Sequence, residues 1–352
     1  MTVVSYKCPN CGAELEFDPK TQKFGCEYCA SQFTKEELDR IRPEPEAADQ
    51  PKDKKEAEKN GAEEAVVYSC PSCGAEIVTD ATTAATFCYY CHNPVVLSGR
   101  LDGSFTPDKV VPFAFNQEQA QKKFEEWIGK KKFLPKSFSR ERRLEKLTGV
   151  YFPYWLTDCD VFGRIDGQAT RVRTWRSGNR RFTETSFYKV VRGGEIHFED
   201  MLHSALSKAN RILVEQVQPF SERGMKDFSM AYLSGFFAEK RDMEYKQFEP
   251  TVRSQVRQYT ESLLRDRVNG YATVNVGSTV AEIHTLKPEY ALLPVWTMTF
   301  RYQNELYYYA MNGQTGKTCG KLPVSYKKLA LLFAGIALPI AILLGFGGYF
   351  LL

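Results

Sequence analysis

Eight of the ten cysteines fall in four Cys-x-x-Cys pairs, which are the clearest chemical signal in the chain. Two residues between thiols allow a tight turn to point both sulfurs at one ion, and a returning pair completes a tetrahedron. The pairs form two sets with the same C-x2-C-x14-C-x2-C spacing, namely Cys8, Cys11, Cys26 and Cys29, and Cys70, Cys73, Cys88 and Cys91. Four thiolates without an open position predict two structural Zn²⁺ sites, because zinc suits closed sulfur sites best.

Iron in a rubredoxin-like site is a second interpretation of the same cysteines, and disulfides are a third. Disulfide frameworks rarely repeat the Cys-x-x-Cys spacing. No signal peptide is recognisable, because Met1 to Ser5 lead directly into the first pair. We therefore expect the thiols to stay reduced in the cytoplasm, which favours zinc.

The two cysteine sets lie in an internal repeat. Residues 6–29 and 68–91 align without gaps and share Tyr, Cys-Pro-x-Cys-Gly-Ala-Glu, Asp, Thr and Cys-x-Tyr-Cys at matching positions. A ribbon of about 25 residues lacks a core of its own, so metal binding must supply much of its folding free energy. We assign zinc ribbon 1 to residues 1–42, a charged flexible linker to 43–66 and zinc ribbon 2 to 67–100.

From residue 101 the composition becomes that of a folded domain, and we assign residues 101–326 to an α+β domain with a mostly antiparallel sheet. Asn116 can cap one helix, and another begins near Pro250. The apolar face of the first is Ala120, Phe124 and Ile128, and the buried stripe of the second is Val252, Val256, Tyr259, Leu263 and Val268. Alternation over residues 294–302 predicts a strand that forms a hairpin with 305–311.

Arginines alternate with other residues in a second predicted hairpin, which turns at residues 177–179. The basic and aromatic residues are Arg171, Arg173, Trp175, Arg176, Arg180 and Arg181. Such a patch can contact nucleic acid, anionic lipid or an acidic protein. The simpler interpretation, one solvated face of a hairpin, is the one that the sequence alone favours.

The chain ends in an uncharged stretch, residues 329–352, which follows Lys327 and Lys328. A helix of this length reaches about 36 Å, enough to cross a hydrocarbon core of about 30 Å with some tilt. We therefore predict a C-terminal transmembrane helix over 327–352. It would act as a single-pass tail anchor in the cell membrane, with the N-terminal bulk on the cytoplasmic side. A buried core helix is the alternative interpretation.

No catalytic motif is recognisable, so we expect a protein that is not an enzyme. Phosphate loops, paired-carboxylate signatures and Gly-x-Ser-x-Gly elbows are missing, and His197, His203 and His284 lack metalloprotease spacing. Cys159 lies between two aspartates, which would raise its pKa and blunt a nucleophile, and Cys319 has no obvious base nearby. The formal charge of +4 is smaller than that of most dedicated nucleic-acid proteins.

The knuckles Cys-Pro-Asn-Cys-Gly-Ala-Glu and Cys-Pro-Ser-Cys-Gly-Ala-Glu resemble the TFIIB-type zinc ribbon over those segments alone. Over more of its length the chain resembles a family of bacterial zinc-ribbon membrane proteins that is common in Gram-positive bacteria. The marks are the ribbons, Gly149-Val-Tyr-Phe-Pro-Tyr-Trp155, Leu293-Pro-Val-Trp296, Asn312-Gly-Gln-Thr-Gly-Lys317 and the hydrophobic end. Members are often labelled helicase-like, but this chain has no Walker loop or helicase core.

Some relatives in that family are encoded beside phage-shock protein A and a flotillin-like (SPFH) protein, so the resemblance implies recruitment of such partners. Our leading hypothesis is a non-enzymatic, membrane-anchored zinc-ribbon adaptor that recruits cytoplasmic proteins in membrane stress. It would contact lipid through residues 329–352. A membrane-tethered nucleic-acid-binding protein is the alternative, although nucleic acid is the less favoured partner. An enzyme concealed in residues 101–322 is a third, weaker hypothesis.

Overall fold

The computed structural model describes residues 3–4, 6–41, 66–69, 76–79, 82–87, 94–97, 101, 105–135, 138, 147–207 and 215–351. Its helices are α1 Lys35–Ile41, α2 Gln117–Gly129, α3 Glu249–Asp266 and α4 Tyr326–Leu351. The first strands are β1 Val3–Val4, β2 Glu16–Asp18, β3 Lys23–Gly25, β4 Gln32–Phe33, β5 Val66–Ser69, β6 Glu76–Thr79, β7 Thr83–Phe87 and β8 Pro94–Leu97. The remaining strands are β9 Lys109–Val110, β10 Thr148–Ser177, β11 Arg180–Ser204, β12 Lys226–Asp227, β13 Phe237–Glu239, β14 Thr273–Tyr302, β15 Glu305–Asn312 and β16 Thr318–Lys321.

One large sheet organises the described part of the chain. Its strand order is β1-β8-β7-β13-β10-β14-β15-β16; β11 pairs with β10, and β9 pairs with β12 and β14. Among the described strands of this sheet, the β10–β13 and β14–β9 pairs are parallel and the others are antiparallel. The sheet is therefore mixed, with the predominance of antiparallel pairs that the sequence predicts. Two small sheets, β2-β3-β4 and β5-β6, accompany it.

Three long strands, β10, β11 and β14, form the central part of this sheet. Strand β10 pairs with β14 from Thr148 to Thr170 and with β11 from Tyr154 to Ser177. Register shifts near Cys159 and Asp166 interrupt the ladders, and such bulges let long strands twist and bend. The sequence predicts the hairpin at residues 177–179 correctly, but it divides β10 and β14 into shorter runs.

Helix α3 packs across these strands, and Gly163 of β10 makes room for it. A Cβ at Gly163 would lie 2.5 Å from Thr260 Cγ2, so a larger residue there would displace the helix. The helix begins at Glu249, with Pro250 in its first turn as predicted, and its buried residues are Val252, Val256, Thr260 and Leu264. The predicted positions Tyr259 and Leu263 are wrong, because the buried row advances by four residues and the methyl group of Thr260 occupies the space beside Gly163.

Two other local predictions are confirmed. The side chain of Asn116 caps α2 and Gln119 completes a capping box, with Ala120, Phe124 and Ile128 buried. Strand β14 turns into β15 at Gln303 and Asn304, which both have positive φ, as a tight two-residue hairpin turn requires.

The predicted transmembrane helix is wrong. Within the part of the chain that the structure describes, no helix is both long and apolar enough to cross a membrane. A crossing helix needs about 20 consecutive apolar residues. The side chains of α4 are described only as far as Ala341, and its first turn includes Lys327 and Lys328. The anchor over 327–352, the lipid contact through 329–352 and the single-pass membrane localisation with a cytoplasmic bulk are therefore corrected.

Candidate metal centre

The first cysteine set converges on one point of the structure. The four Sγ atoms of Cys8, Cys11, Cys26 and Cys29 all lie within 4.8 Å of one another. Cys8 Sγ is 3.5 Å from Cys29 Sγ, and Cys11 Sγ is 3.5 Å from Cys26 Sγ. Four sulfurs about 2.3 Å from a central ion would be about 3.8 Å apart at tetrahedral angles. This cluster could therefore hold a metal ion.

Each half of the cluster is a tight turn with the same backbone geometry. The amide of Gly12 donates to the carbonyl of Cys8 at 2.8 Å, and the amide of Ala30 donates to that of Cys26 at 2.9 Å. Gly12 has φ +76° and Ala30 has φ +57°, so both lie in the left-handed region. The sequence indicates this conformation at Gly12, because glycine adopts it at little cost. It gives no such indication at Ala30.

Polar groups outside the four thiols support the second turn. The Cys29 thiol donates to Ser31 Oγ at 3.2 Å, and Asn10 Nδ2 of the first turn donates to the same oxygen at 2.9 Å. Hydrogen bonds of this kind orient metal ligands and tune their basicity. The sequence alone does not identify Asn10 and Ser31, although these small polar residues lie one position before Cys11 and two positions after Cys29.

Hydrogen bonds and the neighbouring thiols shift the pKa values of Cys29 and Cys11 in opposite directions. The side chain and backbone of Ser31, followed by the Cys11 thiol, lower the pKa of Cys29 to about 6. A backbone hydrogen bond with Ala13 lowers the pKa of Cys11, but desolvation and the three other thiols raise it to about 12. Four sulfurs so close together cannot all become anionic without a cation to offset the repulsion, and a metal ion supplies that charge.

The inner face of ribbon 1 is packed against the central sheet and its loops. Phe17 lies edge-on to Tyr232 at 5.3 Å between ring centroids, and Phe24 lies 5.8 Å from the same ring. Ser234 Oγ donates to the carbonyl of Leu15 at 2.6 Å, and the amide of Phe17 donates to the carbonyl of Ser234 at 3.2 Å. The ribbon is thus attached by both apolar and backbone contacts.

The outer face of ribbon 1 is exposed. Cys8 and Cys26 are buried in the core of the molecule, whereas Cys11 and Cys29 are exposed. Tyr28, inside the second Cys-x-x-Cys pair, has 84% of its surface exposed. A large aromatic side chain at this level of exposure contributes little to the fold and stands beside the metal cluster.

The second cysteine set, Cys70, Cys73, Cys88 and Cys91, lies outside the described residues, and so does most of the predicted linker. The strands around it are described. Strand β5 precedes the first pair and joins β6 beyond it, while β7 and β8 flank the second pair. Both pairs therefore fall in connections between antiparallel strands, and β7 is joined to the large sheet through β13.

The arginine-rich residues lie at the far end of the β10–β11 hairpin. Trp175 is directly opposite Phe182, and Arg176 is opposite Arg181. All six predicted patch residues are exposed: Arg171, Arg173, Trp175, Arg176, Arg180 and Arg181. The structure therefore places them together on one two-stranded element.

The remaining candidate nucleophiles are poorly activated. Burial, followed by Asp160 and Asp158, raises the pKa of Cys159 to about 11, in the direction that the sequence predicts. Burial also raises the pKa of Cys319 to about 11. His197 Nδ1 is 2.7 Å from an Asp160 oxygen, in a cross-strand pair on the exposed surface.

Comparison with known proteins gives one extended similarity. The chain is 33% identical over 335 residues to the uncharacterized protein YdjG of Bacillus subtilis strain 168, covering 95% of this chain and 94% of YdjG. No protein-family model matches the chain, and no solved structure matches it. The similarity extends over nearly the whole of both proteins and is not confined to the short cysteine motifs.

Proposed function

The chain belongs to the family of the Bacillus subtilis protein YdjG, and we propose that it is a non-enzymatic adaptor that binds partner proteins through zinc ribbons. The proposal rests on one observation above all. Ribbon 1 uses its inner face to pack on the rest of the molecule and leaves its metal-bearing outer face, with Tyr28, open to solvent.

Zinc is the metal that we propose for the cluster of Cys8, Cys11, Cys26 and Cys29. Four thiolates in a closed tetrahedron leave no open position for substrate, so the ion holds the two turns together and has no catalytic role. The repeat extends the same proposal to Cys70, Cys73, Cys88 and Cys91. Burial raises the pKa of Cys159 and of Cys319, so neither thiol is activated as a nucleophile.

Tyr28 is the residue that we propose as the centre of the docking surface. Tyrosine is enriched among the side chains that dominate binding energy at protein interfaces, because its ring supplies large contact area and its hydroxyl a hydrogen bond. The exposed Glu27 lies beside Tyr28, and the ribbon has no surplus of basic residues, which disfavours phosphate groups and favours a protein partner. The resemblance described above makes phage-shock-protein-A-like and SPFH-type proteins the partners to test first.

The test measures partner binding and metal content on the same full-length variants. The affinities of purified phage-shock-protein-A-like and SPFH-type proteins are measured by calorimetry. Tyr28→Ala is expected to weaken binding by about tenfold or more, with zinc content unchanged. Cys8→Ser with Cys70→Ser is expected to abolish both. Tyr326→Ala is the matched control, since Tyr326 is 80% exposed but lies at the start of α4. Unchanged partner binding in the cysteine variant would remove the docking role of the ribbons.

A further inference from the structure

The end of the β10–β11 hairpin extends beyond the rest of the central sheet. Strand β14 stops pairing with β10 at Thr170 and Thr273, while β10 and β11 continue to the pair Ser177 and Arg180. We call residues 171–186 the arm. Among the described strands it has two strands only, and its residues are exposed or half-buried. The arm therefore contributes surface and little core.

The arm carries a net positive charge, because its single carboxylate, on Glu184 opposite Arg173, balances one arginine and leaves four. Its five arginines, Arg171, Arg173, Arg176, Arg180 and Arg181, accompany a single acidic residue, Glu184. None of the five forms an ion pair with a carboxylate in the described part of the chain. Arg176 and Arg181 are directly opposite each other, and like charges at such positions destabilise a hairpin. In a hairpin that only faces solvent, this repulsion lowers stability without any benefit. An anionic partner would bind the two neighbouring arginines and offset their repulsion.

Planar groups are layered on the opposite face of the arm from Arg176. The rings of Trp175 and Phe182 stack with centroids 5.8 Å apart and planes 15° from parallel. The Arg173 guanidinium lies 5.9 Å from the Trp175 ring centroid. Trp175 and Phe182 remain 43% and 42% exposed. Flat side chains of this kind, held in a column at a cationic surface, are surfaces on which a further planar group can stack.

The base of the arm is fixed while its end is free of other elements. The Arg171 guanidinium lies 5.5 and 5.6 Å from the ring centroids of Tyr188 and Tyr271, which contact each other edge to face. Arg171 Nε donates to the Gly270 carbonyl at 3.3 Å. These contacts bind the start of the arm to the residues before β14. They leave the four outer arginines and the stacked rings available together.

From this combination we propose that the arm binds single-stranded nucleic acid. Trp175 and Phe182 stack against bases, while Arg173 and Arg180 on the same face contact phosphates and Arg176 and Arg181 on the other face attract the strand through their charge. An acidic polypeptide would satisfy the arginines but give the exposed rings no planar partner, and the same holds for anionic lipid headgroups. Unpaired bases and phosphates alternate along one strand, so a single strand uses both features. Its binding is sequence-tolerant and weakens steeply with salt.

The test is fluorescence anisotropy of the full-length, zinc-loaded protein with a labelled oligothymidylate or oligouridylate of about 15 nucleotides. Affinity is measured between about 50 and 200 mM salt. Trp175→Ala is expected to weaken binding by about tenfold, the loss that one stacked base typically carries, and Trp175→Phe is expected to restore most of it. Changing Arg173, Arg176, Arg180 and Arg181 to Gln is expected to abolish binding and flatten its salt dependence. Separate titrations with the DNA and the RNA oligonucleotide identify which sugar the protein prefers.

The matched control changes four exposed arginines of α3 and its end, Arg253, Arg257, Arg265 and Arg267, to Gln, which alters net charge equally. It is expected to reduce affinity by less than about threefold through long-range charge alone. The proposal is overturned if the wild-type protein does not bind at low salt or if the control weakens binding as much as the arm variant. It is also overturned if duplex DNA, polyglutamate or anionic vesicles bind the arm as tightly as the single strand. Tyr28→Ala leaves oligonucleotide binding intact, so this proposal and the adaptor proposal fail independently.

Discussion

Ribbon 1 and the arm are both small antiparallel elements at the surface, and they are stabilised in opposite ways. The ribbon has strands of two or three residues, four clustered thiols and buried Phe17 and Phe24. The arm continues two long strands in register and buries almost nothing. The ribbon therefore combines core packing with a cysteine cluster that could hold a metal ion, whereas the arm depends on strand pairing.

This difference in stabilisation helps to identify binding residues, because side chains that the fold does not need are free to contact a partner. In the ribbon, alternate positions such as Leu15 and Phe17 are buried in the fold, whereas Tyr28 lies in an exposed segment, residues 27–30. In the arm, stability makes almost no demand on side-chain identity, so the concentration of arginine and aromatic residues calls for another explanation.

Removing the metal should affect the ribbon and spare the arm. Structural zinc contributes about 10–16 kcal/mol of apparent binding free energy in small zinc modules, so Cys8→Ser should unfold the ribbon locally. Hydrogen exchange should show loss of amide protection in β2, β3 and β4 with unchanged protection in β10 and β11. Cys319→Ser, outside the cluster, serves as the control. Protected ribbon amides in Cys8→Ser would contradict the metal-dependent account of this region.

Aromatic truncation should give the next largest contrast. Phe24 is 1% exposed and packs on Phe17 and Tyr232, so Phe24→Ala should lower the free energy of unfolding by about 3–5 kcal/mol. Phe182→Ala in the arm should cost about 1 kcal/mol or less, because its ring is exposed and loses only the stack on Trp175. Urea unfolding of both variants measures the difference. Equal losses would show that the arm is part of the stabilising core.

The sequence predicts features that depend on neighbouring residues better than features that depend on tertiary contacts. Local rules with a fixed spacing succeed: the Cys-x-x-Cys turns, the Asn116 cap and the Gln303-Asn304 turn all depend on residues adjacent in the chain. The buried face of α3 was predicted incorrectly because it depends on tertiary contacts. Thr260 is buried instead of Tyr259 because it packs beside Gly163 of β10.

In two places, local sequence properties were not sufficient to predict the structure. The apolar run after Lys328 predicts a membrane helix, which the described chain does not contain. Strands β10 and β14 continue through proline, glycine and charged residues that normally end strands, because each is held by its neighbours over most of its length. The packing of ribbon 1 on Tyr232 and Ser234 also joins residues more than two hundred positions apart, beyond any local rule.

The two turns of the metal cluster should respond oppositely to backbone substitution. Gly12→Ala forces a Cβ into the left-handed region although nothing lies within 4 Å of that atom, so the cost of about 1–2 kcal/mol is conformational. Ala30→Gly removes the same strain and should change stability by less than about 1 kcal/mol. Chelator competition and thermal melting measure both. Equal destabilisation by the two changes would refute the shared turn geometry.

The smallest expected effect is the pH dependence of stability at the His197–Asp160 pair, which belongs neither to ribbon 1 nor to the arm. The hydrogen bond to Asp160 raises the pKa of His197 above 6.5, so its contribution is present below about pH 6.5 and is lost as pH rises through the folded pKa. Thr285 and then His197 lower the pKa of Asp160, so that contribution is present above about pH 3.9 and lost as pH falls through its folded pKa.

The melting temperature of His197→Gln relative to wild type should therefore show a difference near pH 6 that shrinks as the pH rises. Glu199, Asp158 and Lys287 also face this pair and belong in the same comparison. In an Asp160→Asn background the substitution should have a smaller pH-dependent effect, because only the weaker interactions of His197 with Glu199 and Asp158 remain. A difference that grows with pH would reverse the assigned sign.

Native mass spectrometry of the intact chain measures its zinc content and so tests directly whether the two cysteine sets bind zinc. The account predicts two zinc ions per chain, falling to one in Cys8→Ser and to one in Cys70→Ser, because the repeated cysteine sets bind independently. A chain isolated without zinc, or one whose zinc content is unchanged by both substitutions, would contradict the zinc-ribbon account.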